Sequence, residues 1–143
     1  MDYLLLDGDT AQFLPSFGPA IVEVRPGALQ GSGPAKCNGK PVCVEGDEVR
    51  LEVPDCAYTS GLFSTAGMGT LKIAGLASNQ VAQHSKSGGK KMLLKGTTFQ
   101  AEFEVTISAT DPNPNALVKT DPMNRYPGGS GQFITTNTKH KGT

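Results

Sequence analysis

The chain has 143 residues and a formal net charge of zero, from 13 basic and 13 acidic residues, with 18 Gly, 10 Pro and no Trp. This length suits a single domain, and residues 1–143 are expected to form one. A neutral chain argues against nucleic-acid binding, which needs concentrated positive charge to displace counterions from phosphates. Six Phe and three Tyr without Trp argue against a large stacking surface for bases or sugars.

The first residues lack the basic start and the long apolar run of a secretory signal peptide. No stretch approaches the length of a membrane-spanning helix. We therefore expect the chain to be made in the cytoplasm. Three cysteines, an odd number, suit a reducing compartment better than a disulfide framework.

Alternating apolar and polar residues predict several short strands in the first part of the chain. Ala20–Val24 alternates between two turn dipeptides. Val42–Val44 and the alternating residues Val49–Val53 carry a strand pattern on either side of the acidic stretch Glu45–Glu48. Gly46 lies within that acidic stretch and accepts a positive φ without a steric penalty. These residues therefore predict a tight hairpin between the two neighbouring strands.

The second part of the chain contains the clearest strand pattern and the most irregular segment. Every second residue of Phe99–Ile107 is apolar, which predicts a face packed on the core, with a partner surface as the alternative. Thr59–Gly69 is rich in Gly and Ser and predicts a connection. Residues 110–131 are predicted to form an irregular loop, because Pro, Asn, Asp and Gly dominate them. Residues 138–143 are predicted to be a flexible tail.

One pattern occurs twice in the chain. Gly39–Gly46 and Gly89–Gly96 both read Gly-Lys, then five residues with an apolar run, then Gly. Each copy begins and ends with turn-forming residues and predicts a short strand. The repetition predicts a small all-β body with approximate internal symmetry. Such a body suits a rigid structural part better than an enzyme with a pocket.

The run Asn38–Asp47, Asn-Gly-Lys-Pro-Val-Cys-Val-Glu-Gly-Asp, resembles the core motif of PAAR-repeat proteins. Together with Gly8–Phe13 and Phe17–Val22, it makes the chain similar to the PAAR-like spike tips of phage-tail-like contractile injection systems, which include extracellular injection particles and relatives of type VI secretion. Cys43 and Val44 replace the second alanine and the arginine of the family motif. The chain is therefore better described as PAAR-like than as a PAAR protein.

The resemblance implies a small cone of short β-hairpins with pseudo-three-fold symmetry. It implies a structural protein that caps the trimeric β-helical spike above the baseplate, one tip per trimer, and helps to puncture the target cell envelope. Effector cargo would be a further partner, while nucleic acid would not. The injection particle assembled in this way would be released from the cell or act outside it.

The resemblance also implies a structural metal, commonly zinc held by His and Cys near the apex. Zinc-competent side chains are present at Cys37, Cys43, Cys56 and His84, although their spacing is not diagnostic. Cys37 and Cys43 fall in the predicted strands and are expected to pack as small apolar side chains. Cys56 and His84 are freer to converge, and they are the predicted metal ligands.

No catalytic motif accompanies these residues, so we predict that the protein is not an enzyme. Ser85–Lys90 does not match the spacing of a phosphate-binding loop, and neither histidine accompanies a nucleophile motif. The alternative to a spike tip is a small β-sheet binding or adaptor module for carbohydrate or peptide. A small hydrolase is a third candidate, which the absence of a recognisable acid/base pair disfavours.

Overall fold

The computed structural model describes residues 1–113 and 119–143. These residues are almost entirely β-structure, which confirms the predicted all-β class, and their helical elements are two short 3-10 turns, Glu48–Arg50 and Ser78–Gln80. The strands in the described ranges are β1 (Asp2–Tyr3), β2 (Thr10–Phe13), β3 (Ser16–Phe17), β4 (Ala20–Val22), β5 (Gly27–Ala28), β6 (Lys36–Cys37), β7 (Lys40–Pro41), β8 (Glu52–Ser60), β9 (Phe63–Gly75), β10 (Val81–Ser87), β11 (Lys90–Leu93), β12 (Phe99–Ile107), β13 (Arg125–Ile134) and β14 (Lys141–Gly142).

Eight of these strands form one antiparallel sheet in the order β3-β4-β8-β9-β12-β13-β2-β5. The sheet curls strongly, because β2 continues almost directly into β3 and the backbone N–H of Leu14 between them donates to the carbonyl of Ser130 in β13 (2.9 Å). We call the resulting body the half-barrel. Its interior is filled by seven buried aromatic side chains: Phe13, Phe17, Tyr58, Phe99, Phe103, Tyr126 and Phe133.

Strand β12 spans the predicted range Phe99–Ile107 and lies between β9 and β13. Phe99, Ala101 and Phe103 are at most 1% exposed, whereas Ile107 at the far end is 60% exposed. The predicted alternation is therefore confirmed, and its apolar face packs on the core rather than on a partner. Since both edges of β12 are paired, this strand has no free edge for another chain.

The Gly- and Ser-rich residues Thr59–Gly69 do not form an irregular connection. They lie mostly in the hairpin of β8 and β9, whose strands pair antiparallel. A side chain at Gly67 would come within 2.2 Å of the carbonyl oxygen of Ile107, and one at Gly69 within 2.4 Å of the Phe103 ring. Gly67 and Gly69 are therefore explained by the close approach of a neighbouring strand and an aromatic ring. Gly61, with a φ of 57°, lies in the turn between the two strands.

The predicted hairpin around Gly46 also does not form. The carboxylate of Asp47 accepts the backbone N–H of Val44 (2.9 Å), and the N–H of Asp47 donates back to the carbonyl of Val44 (3.0 Å). This turn leads into the 3-10 turn Glu48–Arg50, and β8 begins only at Glu52. Val42–Val44 is consequently free to pair with segments that are distant in the chain.

The predicted irregular loop 110–131 is shorter than expected at its C-terminal end, because β13 begins at Arg125. Residues 114–118 of the predicted loop lie outside the described residues. Gly129 and Gly131 favoured the loop interpretation, but a side chain at Gly129 would lie 2.1 Å from the ring of Phe17. Close packing of an aromatic ring on β13 therefore explains this glycine.

The predicted flexible tail 138–143 is paired with the rest of the fold. Strand β14 pairs antiparallel with β1, and Gly142 is buried. The side chain of Asn137, which is 2% exposed, donates to the carbonyl of Leu4 (2.9 Å) and accepts the backbone N–H of His140 (3.0 Å). This buried amide fixes the start of the tail.

Candidate functional site

Three short segments from distant parts of the chain meet beside the half-barrel and close a ring. The backbone N–H of Leu5 donates to the carbonyl of Leu93 (3.0 Å), that of Leu93 to Cys43 (2.9 Å), and that of Cys43 back to Leu5 (2.9 Å). Each segment therefore donates to one neighbour and accepts from the other. We call residues 4–6, 42–44 and 92–94 the three-strand ring.

A second set of three hydrogen bonds runs around the ring in the opposite direction to the first. In each case the residue two positions after a ring centre donates to the residue two positions before the next centre. These bonds are Asp7 N–H to Pro41 (2.8 Å), Glu45 N–H to Lys91 (2.8 Å) and Lys95 N–H to Tyr3 (3.0 Å). Between them lie the bridges Leu4–Leu94, Leu6–Val42 and Val44–Met92. The backbone of the ring thus has approximate three-fold symmetry.

Each ring segment is preceded by a strand that has an antiparallel partner. Strands β6 and β7 are joined by Asn38 and Gly39 (φ 54° and 77°), and β10 and β11 by Gly88 and Gly89 (φ 61° and 80°). Two consecutive positive φ values are what a two-residue hairpin turn requires. In the third pair, β1 and β14, no turn joins the strands, because they are the two ends of the chain. Residues 1–9, 31–47, 81–97 and 137–143 together are called the hairpin end.

The centre of the ring is packed directly on the half-barrel. Leu5, Cys43 and Leu93 are fully buried and belong to the main core cluster. Burial raises the pKa of the Cys43 thiol to about 12, and the negative charges of Asp47 and Asp9 add to this shift. Cys43 therefore remains protonated and acts as a small apolar side chain, as the sequence predicted.

Buried carboxylates close the turns that follow two of the three ring segments. Asp9 accepts the N–H of Leu6 (2.8 Å), as Asp47 accepts that of Val44, and both carboxylates are at most 4% exposed. Burial by itself would raise the pKa of Asp47, but hydrogen bonds from the Ser32 hydroxyl, Val44, Arg50 and the backbone of Ser32 outweigh it and lower the pKa below its usual value. In the third copy the N–H of Leu94 donates instead to the backbone carbonyl of Gln80 (2.8 Å).

Sequence reasoning found two of the three copies and missed residues 1–8. The first copy is not preceded by Gly-Lys, and its strand β1 pairs with the distant strand β14. What the copies share is three apolar residues, one charged residue and a glycine with positive φ. A search for that shorter pattern would have found all three: Leu4–Gly8, Val42–Gly46 and Met92–Gly96.

The predicted metal ligands lie in different environments. Cys56, in β8, is 1% exposed in the main core, with its thiol 3.6 Å from the carbonyl oxygen of Val53. His84, on β10, is exposed, and its backbone N–H donates to Thr143 (2.6 Å). Cys37 is half-buried against the side chains of the ring.

Residues 1–113 and 119–143 contain no group of three or more His, Cys, Asp or Glu side chains that could hold a metal ion. A structural zinc site usually has four protein ligands, so the described residues do not fit one. A metal bound by Cys56 and His84 alone stays a prediction.

A family model described as contractile injection system spike tip protein matches residues 1–143. The chain belongs to this family. The predicted resemblance is thereby confirmed, and the three-strand ring with its hairpins has the approximate three-fold arrangement expected of such a tip. No curated protein sequence matches the chain. Among the helices in the described part of the chain, none has the length and apolar character needed to cross a membrane.

Charge in this spike-tip chain is divided between its two parts. The hairpin end contains eight basic and five acidic residues, which gives +3, and the rest of the chain contains five basic and eight acidic residues, which gives −3. The formal charge of zero therefore hides a separation of charge along the protein. The basic excess lies on the part that carries the approximate three-fold symmetry.

Proposed function

We propose that the protein caps the trimeric β-helical spike of a contractile injection system, one tip per trimer, and helps to pierce the target envelope. The observation that carries the proposal is the closed hydrogen-bonded circuit of Leu5, Cys43 and Leu93. A single chain on the axis of a trimer meets three identical chains in three equivalent positions. It makes similar contacts with all three only where its own backbone repeats three times around that axis.

In this proposal the hairpin end binds the spike, and the half-barrel points toward the target envelope. The ring and its hairpins repeat three times, whereas the described strands of the half-barrel range from 2 to 13 residues and follow no such repeat. A symmetric partner therefore fits the hairpin end better than the half-barrel.

The role in this proposal is structural and not enzymatic. During contraction the spike would push on the ring, and the fully buried side chains of Leu5, Cys43 and Leu93 would pass that force to the aromatic core. The ring depends on pairings between residues far apart in the chain, so its parts must separate together. Such an arrangement favours resistance to unfolding under load.

The test is assembly with the trimeric spike protein of the same injection particle. The two purified proteins are mixed and the complex is weighed by native mass spectrometry or light scattering. We expect one copy of this chain per spike trimer. Three copies per trimer, or no complex, would contradict the proposal. Binding to a glycan or peptide array without spike binding would favour the adaptor alternative.

A further inference from the structure

The lysines of the hairpin end lack the acidic partners that three basic residues elsewhere in the described chain have. In or near the half-barrel, Arg50 pairs with Asp47, Lys72 with Glu52 and Glu104, and Arg125 with Glu102. Within the described residues, no lysine of the hairpin end forms an ion pair with an acidic side chain; these lysines are Lys36, Lys40, Lys86, Lys90, Lys91, Lys95, Lys139 and Lys141. No carboxylate of the described residues neutralises their charge, and the contact that Lys141 makes is with an uncharged ring, its Nζ lying 4.8 Å from the centroid of Tyr3.

Three of these lysines occupy equivalent places around the ring. In the three strand pairs, Lys36 is opposite Pro41, Lys86 is opposite Lys91, and Lys141 is opposite Tyr3. Each opposite residue lies two positions before a ring centre, and its carbonyl accepts one of the second set of ring hydrogen bonds. All three lysines are exposed. The residues that follow them are small and less exposed: Cys37 is half-buried, and Ser87 and Gly142 are buried.

We infer that Lys36, Lys86 and Lys141 bind a ring of three acidic side chains, one contributed by each chain of the trimeric spike. This inference rests on the proposed function and names the chemistry of the partner surface. One carboxylate per spike chain occurs three times around the trimer axis by symmetry. Three lysines in one register of a pseudo-three-fold body meet such a set, and the flexible lysine stem absorbs the imperfect match.

The register favours a trimeric protein partner over an anionic lipid surface. Lipid headgroups rearrange freely and impose no three-fold spacing, so they can bind any dense basic patch. An acidic ring on a trimer requires matching positions in three different strand pairs. Lysine stands at that position in all three, although the opposite residues are Pro41, Lys91 and Tyr3. The lysine is therefore repeated in all three strand pairs, whereas the residue opposite it differs.

The experiment compares spike binding of the wild type with that of the triple variant Lys36→Gln, Lys86→Gln, Lys141→Gln across a range of salt concentrations. We expect the affinity of the variant at low salt to fall about tenfold, since three exposed ion pairs are each worth a fraction of a kcal/mol. We also expect its affinity to depend less on salt, because fewer charges are left to screen. The matched control is Arg25→Gln, Lys119→Gln, Arg125→Gln, which removes the same charge outside the hairpin end and should bind like the wild type.

The outcomes separate this inference from the proposed function. If the wild type does not bind the spike, the proposed function fails. If the wild type binds and the triple variant binds with the same affinity and salt dependence, only the lysine inference fails. Vesicles containing phosphatidylglycerol provide the competing test, since loss of vesicle binding with unchanged spike binding would assign the lysines to a membrane. If the triple variant unfolds, the three single variants replace it, each with an expected loss of about twofold.

Discussion

The two parts of the protein are held together by different kinds of interaction. Backbone hydrogen bonds between three short segments close the ring, whereas long strands and buried aromatic side chains hold the half-barrel together. The ring centres Leu5, Cys43 and Leu93 differ in side chain and still occupy equivalent places. The approximate three-fold symmetry is therefore a property of the ring backbone and does not require identical side chains. The half-barrel, which packs through its side chains, does not share it.

A buried carboxylate illustrates the side-chain contribution in the half-barrel. Asp121 accepts hydrogen bonds from the hydroxyls of Tyr58 (2.8 Å) and Tyr126 (2.5 Å) and from the N–H of Met123 (2.9 Å). Burial raises the pKa of Tyr58 to about 12, and the Asp121 carboxylate adds to this shift. The network ties the segment before β13 to β8 through side chains.

The largest expected effect is on the aromatic core of the half-barrel. The ring of Phe103 is fully buried, with its centroid 5.1 Å from that of Tyr58 and 6.1 Å from that of Phe17. Phe103→Ala should lower the free energy of unfolding by about 3–5 kcal/mol, measured by urea denaturation. Ile107→Ala, at an exposed site of the same strand, should change it by no more than about 0.5 kcal/mol. Equal losses in the two variants would contradict the assignment of the core.

The next effect concerns the close packing beneath the ring. A side chain at Gly31 would lie 2.5 Å from the carbonyl oxygen of Pro41, which accepts one of the second set of ring hydrogen bonds from the backbone N–H of Asp7. Gly31→Ala should therefore cost about 1–3 kcal/mol of stability and weaken spike binding. Gly75→Ala is the control, because its side chain would meet its nearest atom at 3.6 Å. Spike binding by Gly31→Ala at the wild-type level would count against the ring as the docking element.

Replacing a buried aspartate in either part should change how the stability of the protein depends on pH. Burial alone would raise the pKa of Asp121, but its three hydrogen bonds outweigh this and lower it, and the pKa of Asp47 is lowered too. A lowered folded-state pKa gives stability that is complete above the unfolded value, near 3.8, and is lost as the pH falls below it. Asp121→Asn and Asp47→Asn should each be less stable than the wild type at neutral pH.

The measurement is the urea midpoint of the three proteins between about pH 7 and about pH 3. The difference between the wild type and each variant should narrow as the pH falls toward the lower limit. A difference that stays constant over this range would show that the carboxylate charge contributes no stability in that part of the protein.

Cysteine reactivity should distinguish positions within and beside the ring. Cys43 is fully buried with a pKa of about 12, Cys56 is 1% exposed, and Cys37 is half-buried. Iodoacetamide acts on the thiolate, so the native protein at about pH 8 should be modified at Cys37 before the other two. Peptide mass spectrometry identifies the sites, and denatured protein, in which all three should react, is the control. Early modification of Cys43 would show that the ring opens.

The smallest expected effect is on metal content. The Cys56 thiol is buried beside the carbonyl of Val53 and 3.9 Å from the cationic guanidinium of Arg25, so Cys56→Ser should leave the zinc content of the purified protein unchanged. His84→Ala provides the paired variant on the exposed strand β10. Elemental analysis reports zinc per chain in all three proteins. A parallel loss of zinc in both variants would establish these residues as ligands.

Local sequence patterns predicted much of the fold. The segments around Gly67 and Gly129 form strands that these patterns did not predict, and both differences have the same cause. The alternation of Phe99–Ile107 predicted β12 with its limits, because alternate strand residues face opposite sides whatever the neighbours are. The local composition around Gly67 predicts a connection, and that around Gly129 predicts a loop. The actual role of the two glycines is to admit an adjacent strand and the ring of Phe17, and that need depends on residues that no local window contains.

The candidate site was predicted in part for the same reason. The copies at Gly39–Gly46 and Gly89–Gly96 have a glycine at both ends and are recognisable in the sequence, whereas the first copy has a glycine only at its C-terminal end, Gly8. The metal hypothesis rested on residue type alone. Packing placed Cys56 in the core and His84 on an exposed strand.

By itself the amino-acid sequence determined the all-β class, the clearest strand and the resemblance to spike tips, since these depend on neighbouring residues and on a contiguous motif. Tertiary structure alone decided that the two chain ends complete a third strand pair and that three segments close a ring. It also placed Lys36, Lys86 and Lys141 in one register. The physical reason is that a ring and a shared register are relations between segments brought together by folding.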